Sequence, residues 1–281
     1  MANYICVTCG VQYPESETPP PGCPICEDAR QFVGLDGQKW TTLDEMHGKY
    51  RNQIQEEEPG LYSIHTEPAF AIGQRAIVVN TRQGNLLWDC VTLLDEETVA
   101  KIRKLGGIDA IAISHPHYYA SMIDWSETFG NAPIYIHEAD AQWVMRRDPR
   151  VRLWSGESTT LLDSFTLILT PGHFDGFQVL HWSAGADGRG VLLSGDQPQV
   201  CMDIRWVSFM YSYPNYIPLA PAAVRRIADT LQGYRFDRIY GAFPRRTVAR
   251  DGNAVVERSA ERYLRAVGAE GRVYTGRDLE G

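Results

Sequence analysis

Three things are scarce in this chain, and each scarcity narrows its role. Apolar runs are short: none reaches the roughly 18 residues that a membrane span needs, so no membrane-embedded role is expected. Positive charge is in the minority, with 27 Lys and Arg against 35 Asp and Glu and a formal net charge of −8. The basic residues gather no more densely than the pairs Arg146-Arg147 and Arg245-Arg246, which leaves no electrostatic footprint for nucleic acid. The opening Met1-Ala2-Asn3-Tyr4-Ile5-Cys6 has neither the basic region nor the apolar core of an export signal. Cysteines number only six, and four of them form two Cys-x-x-Cys pairs, a usage suited to a reducing compartment. A cytoplasmic location is expected. What the chain has is bulk: 281 residues at 44% hydrophobic can bury a large core, with length for one big domain and a small one.

The small one is read from the cysteines. Cys6-Val7-Thr8-Cys9 and Cys23-Pro24-Ile25-Cys26 are separated by 13 residues that include Pro19-Pro20-Pro21-Gly22. Each Cys-x-x-Cys can wrap as a tight turn with two thiolates on one ion, and two turns complete a tetrahedral site. The segment has too few apolar residues for a core of its own, so the metal is expected to supply folding energy. Disulfides or free thiols are the alternative, disfavoured by the paired spacing in a reduced setting. The module, residues 1–40, resembles a rubredoxin-like zinc ribbon. Zinc is the expected ion, since a closed four-thiolate site needs no redox partner; iron is the alternative. Residues 41–60, polar and rich in glutamate, read as a connector, partly helical at most.

From residue 61 to 281 the patterns of strand and helix alternate, which implies a layered α/β architecture. Residues 62–66, 75–79 and 85–90 read as strands, and a helix begins at 95–102 with acids first and Lys104 near its end. Further helices are expected at 121–129, 138–146, 221–231 and 256–267, and strands at 108–113, 133–137, 165–169, 190–193 and 238–240. Three of the strands end in chemistry. Residues 108–113 run into Ser114-His115-Pro116-His117-Tyr118-Tyr119-Ala120, residues 165–169 lead to Pro171-Gly172-His173, and residues 190–193 lead to Ser194-Gly195-Asp196. Imidazoles projecting from strand ends are suitable nitrogen ligands for zinc or another divalent transition metal. Three neutral imidazoles with one open position is the composition of a catalytic rather than a structural zinc site. Asp196 is the carboxylate available to orient water or close the coordination shell, or it simply caps a turn. The remaining histidines, His47, His65, His137 and His181, are read as packed or surface residues, and Cys90 and Cys201 as small buried or half-buried side chains.

The order of Asp89 after a strand, His115-x-His117, Gly-His173 and Gly-Asp196 resembles the metallo-β-lactamase superfamily. That resemblance implies a four-layer αβ/βα sandwich with metals at the edge where two sheets meet. It also implies a supporting role for Asp89, through hydrogen bonds behind the ligands. The superfamily's first motif is His-x-His-x-Asp-His, and Tyr119 and Ala120 stand here in its fifth and sixth positions. Its last histidine follows a strand and a glycine, where this chain has Gly241-Ala242-Phe243. The absent ligands are those of a second metal, so a mononuclear site at His115, His117, His173 and Asp196 is expected.

The expected activity is metal-dependent hydrolysis of an ester, thioester, lactone or related bond in a small molecule, with Tyr118 or Tyr119 donating to a developing oxyanion. The competing reading is a non-catalytic binding or regulatory protein on the same fold. Redox chemistry at a di-iron centre ranks last, because the second metal position is depleted. The aromatic stretch from Trp206 to Tyr216 lacks clear periodicity. Phe209, Tyr211 and Tyr213, with Trp125, either wall a substrate pocket or pack between helices. The partners expected are a small-molecule substrate and, as an option the sequence leaves open, a second copy of the chain in a homo-oligomer.

Overall fold

The structure, a computed structural model, describes residues 1–269; the end of the 61–281 segment lies outside the described residues. Two sheets face one another. The seven-stranded sheet runs, from one edge, Val151–Trp154, Ile134–His137, Ala110–Ala112, Gly84–Trp88, Arg75–Thr81, Leu61–Glu67 and Arg51–Glu58. Its first four strands are parallel and the rest antiparallel. The six-stranded sheet runs Ser158–Leu161, Phe165–Leu169, Gln178–Trp182, Val191–Gly195, Arg238–Gly241 and Thr247–Val248.

The period-two alternation of strand side chains assigns each residue to a layer. Ile77, Val79, Leu86 and Trp88 of the first sheet meet Phe165, Leu167, Leu180 and Leu193 of the second in a central core. Their alternates Ala76, Val78 and Leu87 point outward under a helical layer with Ile102 and Ile123. Val179, Leu192 and Ile239 point outward on the other side against Val224, Ile227, Val256 and Leu264 of the helices Pro221–Gln232 and Gly252–Ala266. Strands covered on both faces read as continuous apolar runs. This is the expected four-layer αβ/βα sandwich. No described helix is long and apolar enough to cross a membrane.

The cysteine module is a three-stranded antiparallel sheet of Ala2–Cys6, Gln12–Ser16 and Trp40–Thr41, with a one-turn helix Pro24–Glu27 starting after Cys23. Its core is not separate. Cys6, Cys9, Cys23, Ile25 and Cys26 belong to the same buried cluster as Ile111, Tyr119, Ile123 and Trp125. Gly10 shows how close the two parts lie: φ is +80°, and a Cβ there would stand 2.6 Å from the Thr92 hydroxyl oxygen. The Gln12 amide donates to the Ala120 carbonyl at 3.0 Å.

Two expectations need correction. Residues 41–60 contain the short helix Leu43–Met46, but Arg51–Glu58 is no connector: it is the edge strand of the larger sheet, antiparallel to Leu61–Glu67. Its glutamates face partners far away in sequence. Glu57 pairs with the buried Arg75 at 2.9 Å. Glu58, nearly fully buried, accepts from Arg238, from the Tyr240 hydroxyl at 2.8 Å and from the Ala186 amide at 2.8 Å, tying one sheet to the other. Breaking one partner of a buried ionic network strands the rest, at about 3–5 kcal/mol. Glu58→Ala is therefore expected to lose about 3 kcal/mol in urea unfolding, and a loss under about 1 kcal/mol would show the network to be dispensable. Second, the helix expected at 138–146 is a 3-10 segment, Glu138–Trp143. There His137 Nδ1 accepts from the Ala139 amide, and buried Asp140 turns inward to accept from the Gly176 amide at 2.8 Å.

Candidate metal centre

Three strand ends deliver the ligands. The strand Ala110–Ala112 continues through Ile113 and Ser114 to His115, and the 3-10 turn Pro116–Tyr118 swings His117 to the same side. From the opposing sheet, Val191–Gly195 ends directly before Asp196. His173 follows the loop after Phe165–Leu169. Gln178 stitches the sheets together beneath the site, its backbone amide donating to the Ser114 carbonyl at 3.0 Å and its side chain to the Ile113 carbonyl at 2.7 Å. Two glycines permit the approach. A Cβ on Gly195, which has φ +55°, would lie 2.7 Å from Ser114 Oγ, and one on Gly172 would lie 2.9 Å from Gln197 Oε1.

Among the described residues, two groups of side chains converge closely enough to hold an ion: Cys6, Cys9, Cys23 and Cys26, and His115, His117, His173 and Asp196. In the second group the four candidate donor atoms lie within 4.8 Å of one another. His173 Nε2 stands 3.3 Å from His117 Nδ1, and His115 Nε2 stands 3.5 Å from Asp196 Oδ2. A tetrahedral zinc with nitrogen ligands at about 2.0–2.1 Å has donor-to-donor edges of about 3.3 Å. In the first group, Cys6 and Cys26 sulfurs are 3.5 Å apart and Cys9 and Cys23 sulfurs 3.7 Å. Zinc–sulfur bonds of about 2.3 Å set an edge of about 3.8 Å, whereas a disulfide is about 2.05 Å. Burial, reinforced by the neighbouring thiols, pushes the Cys9 thiol up, whereas hydrogen bonds from the other cysteines draw Cys6 down, so holding all four together as thiolates calls for a cation. Both donor sets fit a metal.

The tautomers agree. His173 Nδ1 donates to the Tyr211 carbonyl at 2.8 Å, leaving Nε2 bare toward the cluster. Ser114 Oγ, 2.9 Å from His115 Nδ1, donates in turn to Asp89 Oδ1 at 2.7 Å, which also takes the Ser114 amide at 2.7 Å. Thus His115 Nδ1 carries the proton and Nε2 has no partner. Burial holds all three imidazoles below their usual values, His173 at about 3, so each is a neutral ligand. Burial alone would raise Asp196, but the contact with His115 outweighs it and keeps it a carboxylate. Burial raises Asp89 to about 8; its Oδ1 accepts both Ser114 donors whether or not the other oxygen is protonated. Asp89 thus lies behind the ligands, and Ser114, which sequence reasoning missed, is the link. Ser114→Ala is expected to weaken the His-site metal by roughly 10–100-fold, read by competition with a chelator; unchanged affinity would discount the relay.

The other nominated residues divide. Tyr118 packs edge-on to His115, ring centroids 4.4 Å apart, with its buried hydroxyl free of partners. Tyr213 lines the cavity over the metal site and donates to the Asp196 carbonyl at 2.5 Å. Tyr211 contributes its carbonyl to His173. Tyr119 instead faces a cleft with Val11, Gln12 and Met145 beside the cysteine module, so it does not meet an oxyanion at the metal site. Trp125 is no wall: its indole donates to the Val91 carbonyl at 2.8 Å deep in the outer core. Phe209 is likewise core, edge-on to Tyr263. The cavity lining also includes Thr8, Gln31 and Phe32 of the cysteine module together with Gln199 and Phe243.

A sandwich of this topology with imidazole and carboxylate ligands at the rim between its sheets has the metallo-β-lactamase fold. DIM-1 metallo-β-lactamase is similar at 15% identity and TM-score 0.59, over 77% of this chain and 98% of that one. A B3 metallo-β-lactamase with an active-site glutamic acid is similar at 19% identity and TM-score 0.53, over 76% and 90%. TTHA1623, solved in a di-iron-bound form, is similar at 18% identity and TM-score 0.53, over 70% and 97%. No family model matches the chain. With 49% identity over 272 residues, 96% of this chain and 98% of the relative, the chain belongs to the family of the uncharacterized protein YmaE of Bacillus subtilis (strain 168).

Proposed function

We propose that the protein is a hydrolase using a single divalent ion, zinc by the donor set, against an ester, thioester, lactone or related acyl bond. The observation that carries this reading is the buried quartet His115, His117, His173 and Asp196, its candidate donor atoms all within 4.8 Å of one another and opening on a cavity of about 180 Å³. When bound, the ion supplies Lewis acidity, polarising a carbonyl and making a water acidic near pH 7. The chain does the rest. His115 and His173 are locked in the ligand tautomer by Ser114 and the Tyr211 carbonyl. Asp196 is steered by Gln199 Nε2, 3.1 Å from its Oδ1, and orients the attacking water or accepts its proton. Tyr118, beside His115, is the remaining phenol available to an oxyanion. One ion rather than two is supported by what replaces the second ligand set: Tyr119 faces away, and Phe243 brings an apolar ring to the cavity.

The depleted second set also favours the alternative, a metal-holding binding protein without turnover. A screen of activated esters, thioesters and lactones, run zinc-loaded and chelated, separates them. Turnover by the zinc-loaded protein is expected, with Asp196→Asn lowering kcat by roughly 10²–10⁴ while zinc content is held. No zinc-dependent turnover of any acyl substrate would favour the binding protein.

A further inference from the structure

The cavity beside the metal ligands is walled in part by the cysteine module, and the wall is fixed in place. After the helix Pro24–Glu27, Arg30 is held by Asp28 at 2.6 and 3.0 Å. Its guanidinium lies 4.0 Å from the Phe174 ring centroid and 3.4 Å from the His173 carbonyl. Asn215 donates to the Ala29 and Gln31 carbonyls at 3.0 and 2.9 Å, and the Ser212 hydroxyl donates to the Arg30 carbonyl at 3.2 Å. The turn carrying Gln31 is therefore latched to the loop that orients His173. Gln31 is only 5% exposed and lines the same cavity as His117, His173 and Asp196. Its Oε1 is buried without a hydrogen-bond partner among the described residues. A buried amide oxygen on a rigid support, left unpaired, is costly and calls for an explanation.

We infer that Gln31 is a substrate-orienting residue whose amide oxygen accepts a hydrogen bond from an N–H or O–H carried beside the reacting carbonyl. The substrate class follows: a small acyl compound, without net charge, bearing such a donor. Size follows from the cavity, below the 300–1,000 Å³ of drug-sized sites. Lack of net charge fits the lining, which among the described residues has apolar Ile72, Phe32 and Phe243, no Lys or Arg, and Asp196 as its one carboxylate. A site built to hydrogen-bond a donor discriminates against the analogue lacking it. The word substrate rests on the hydrolase reading; the recognition itself needs only a ligand on the His-site ion.

The test is calorimetric binding of acetohydroxamic acid and N-methylacetohydroxamic acid to the zinc-loaded full chain. The first carries an N–H and the second does not. Wild type is expected to bind the N–H compound about tenfold more tightly. Gln31→Leu and Gln31→Met, which keep bulk without an acceptor, are expected to bind the two alike; two variants guard against a folding defect in one. A preference that survives both substitutions, no preference in wild type, or no binding of either compound would overturn the assignment. Preference and its loss as expected, with no acyl turnover in the ester screen, would sink the hydrolase and leave the Gln31 contact standing.

Discussion

His115→Leu is expected to cut the zinc content from about two ions per chain to about one, and to abolish metal-dependent turnover by at least roughly 10³-fold. The ion that stays is the one on the cysteines. The fold is expected to tolerate the change. His115 is fully buried among Phe177, Phe174 and Tyr118; its Nε2 makes no hydrogen bond and meets only Asp196 Oδ2 at 3.5 Å, and a buried nitrogen without a hydrogen bond costs about 1–3 kcal/mol. Leucine removes that penalty along with the ligand. In the metal-free state, wild type and His115→Leu should then unfold within about 1 kcal/mol of each other. Added zinc should separate them: at 1,000 times the dissociation constant, site occupancy stabilises wild type by about 4 kcal/mol and does nothing at the altered site. If apo His115→Leu collapses, or if zinc stabilises both proteins equally, the three imidazoles are structural and the catalytic reading falls.

Sequence showed the sandwich because its strands are covered on both faces, which writes β-branched apolar runs such as Ile108 to Ile113. The ligands were legible for a related reason: each sits two to four residues beyond such a run, where chemistry at a sheet edge has to be. Arg51–Glu58 escaped because its glutamates are neutralised by Arg75 and Arg238, partners that no local pattern reveals. Tyr119 was misplaced by adjacency. In a turn of about three residues per revolution, successive side chains diverge by about 120°, so His117 can reach the ion only if Tyr119 points elsewhere. The aromatic stretch was ambiguous because composition does not say which rings face solvent; the structure splits it, sending Phe209 to the core and Tyr213 to the cavity. Arg30 and Gln31 left no trace at all. Their importance comes from where the cysteine module docks, and that is a tertiary fact.

That docking sets the second large effect. Cys6→Ser with Cys9→Ser is expected to do more than free one ion. Four-thiolate zinc contributes apparent binding energies of about 10–16 kcal/mol in small modules, the same size as the whole stability of a typical domain. Here the four sulfurs also form part of the core beneath the first sheet, beside Ile111, Tyr118 and Trp125. Loosening them exposes that core and releases the turn that carries Arg30 against His173. The double variant is therefore expected to lose at least about 5 kcal/mol in chemical unfolding, and what remains folded should bind zinc at the histidines at least about tenfold more weakly. Both losses should appear together on selective removal of the thiolate-bound ion. The contrary result would be a double variant with unfolding midpoint and His-site affinity near those of wild type. That would make the ribbon a passenger on a self-sufficient sandwich, whereas its shared core and its hold on the His173 loop make it part of the metal centre's foundation.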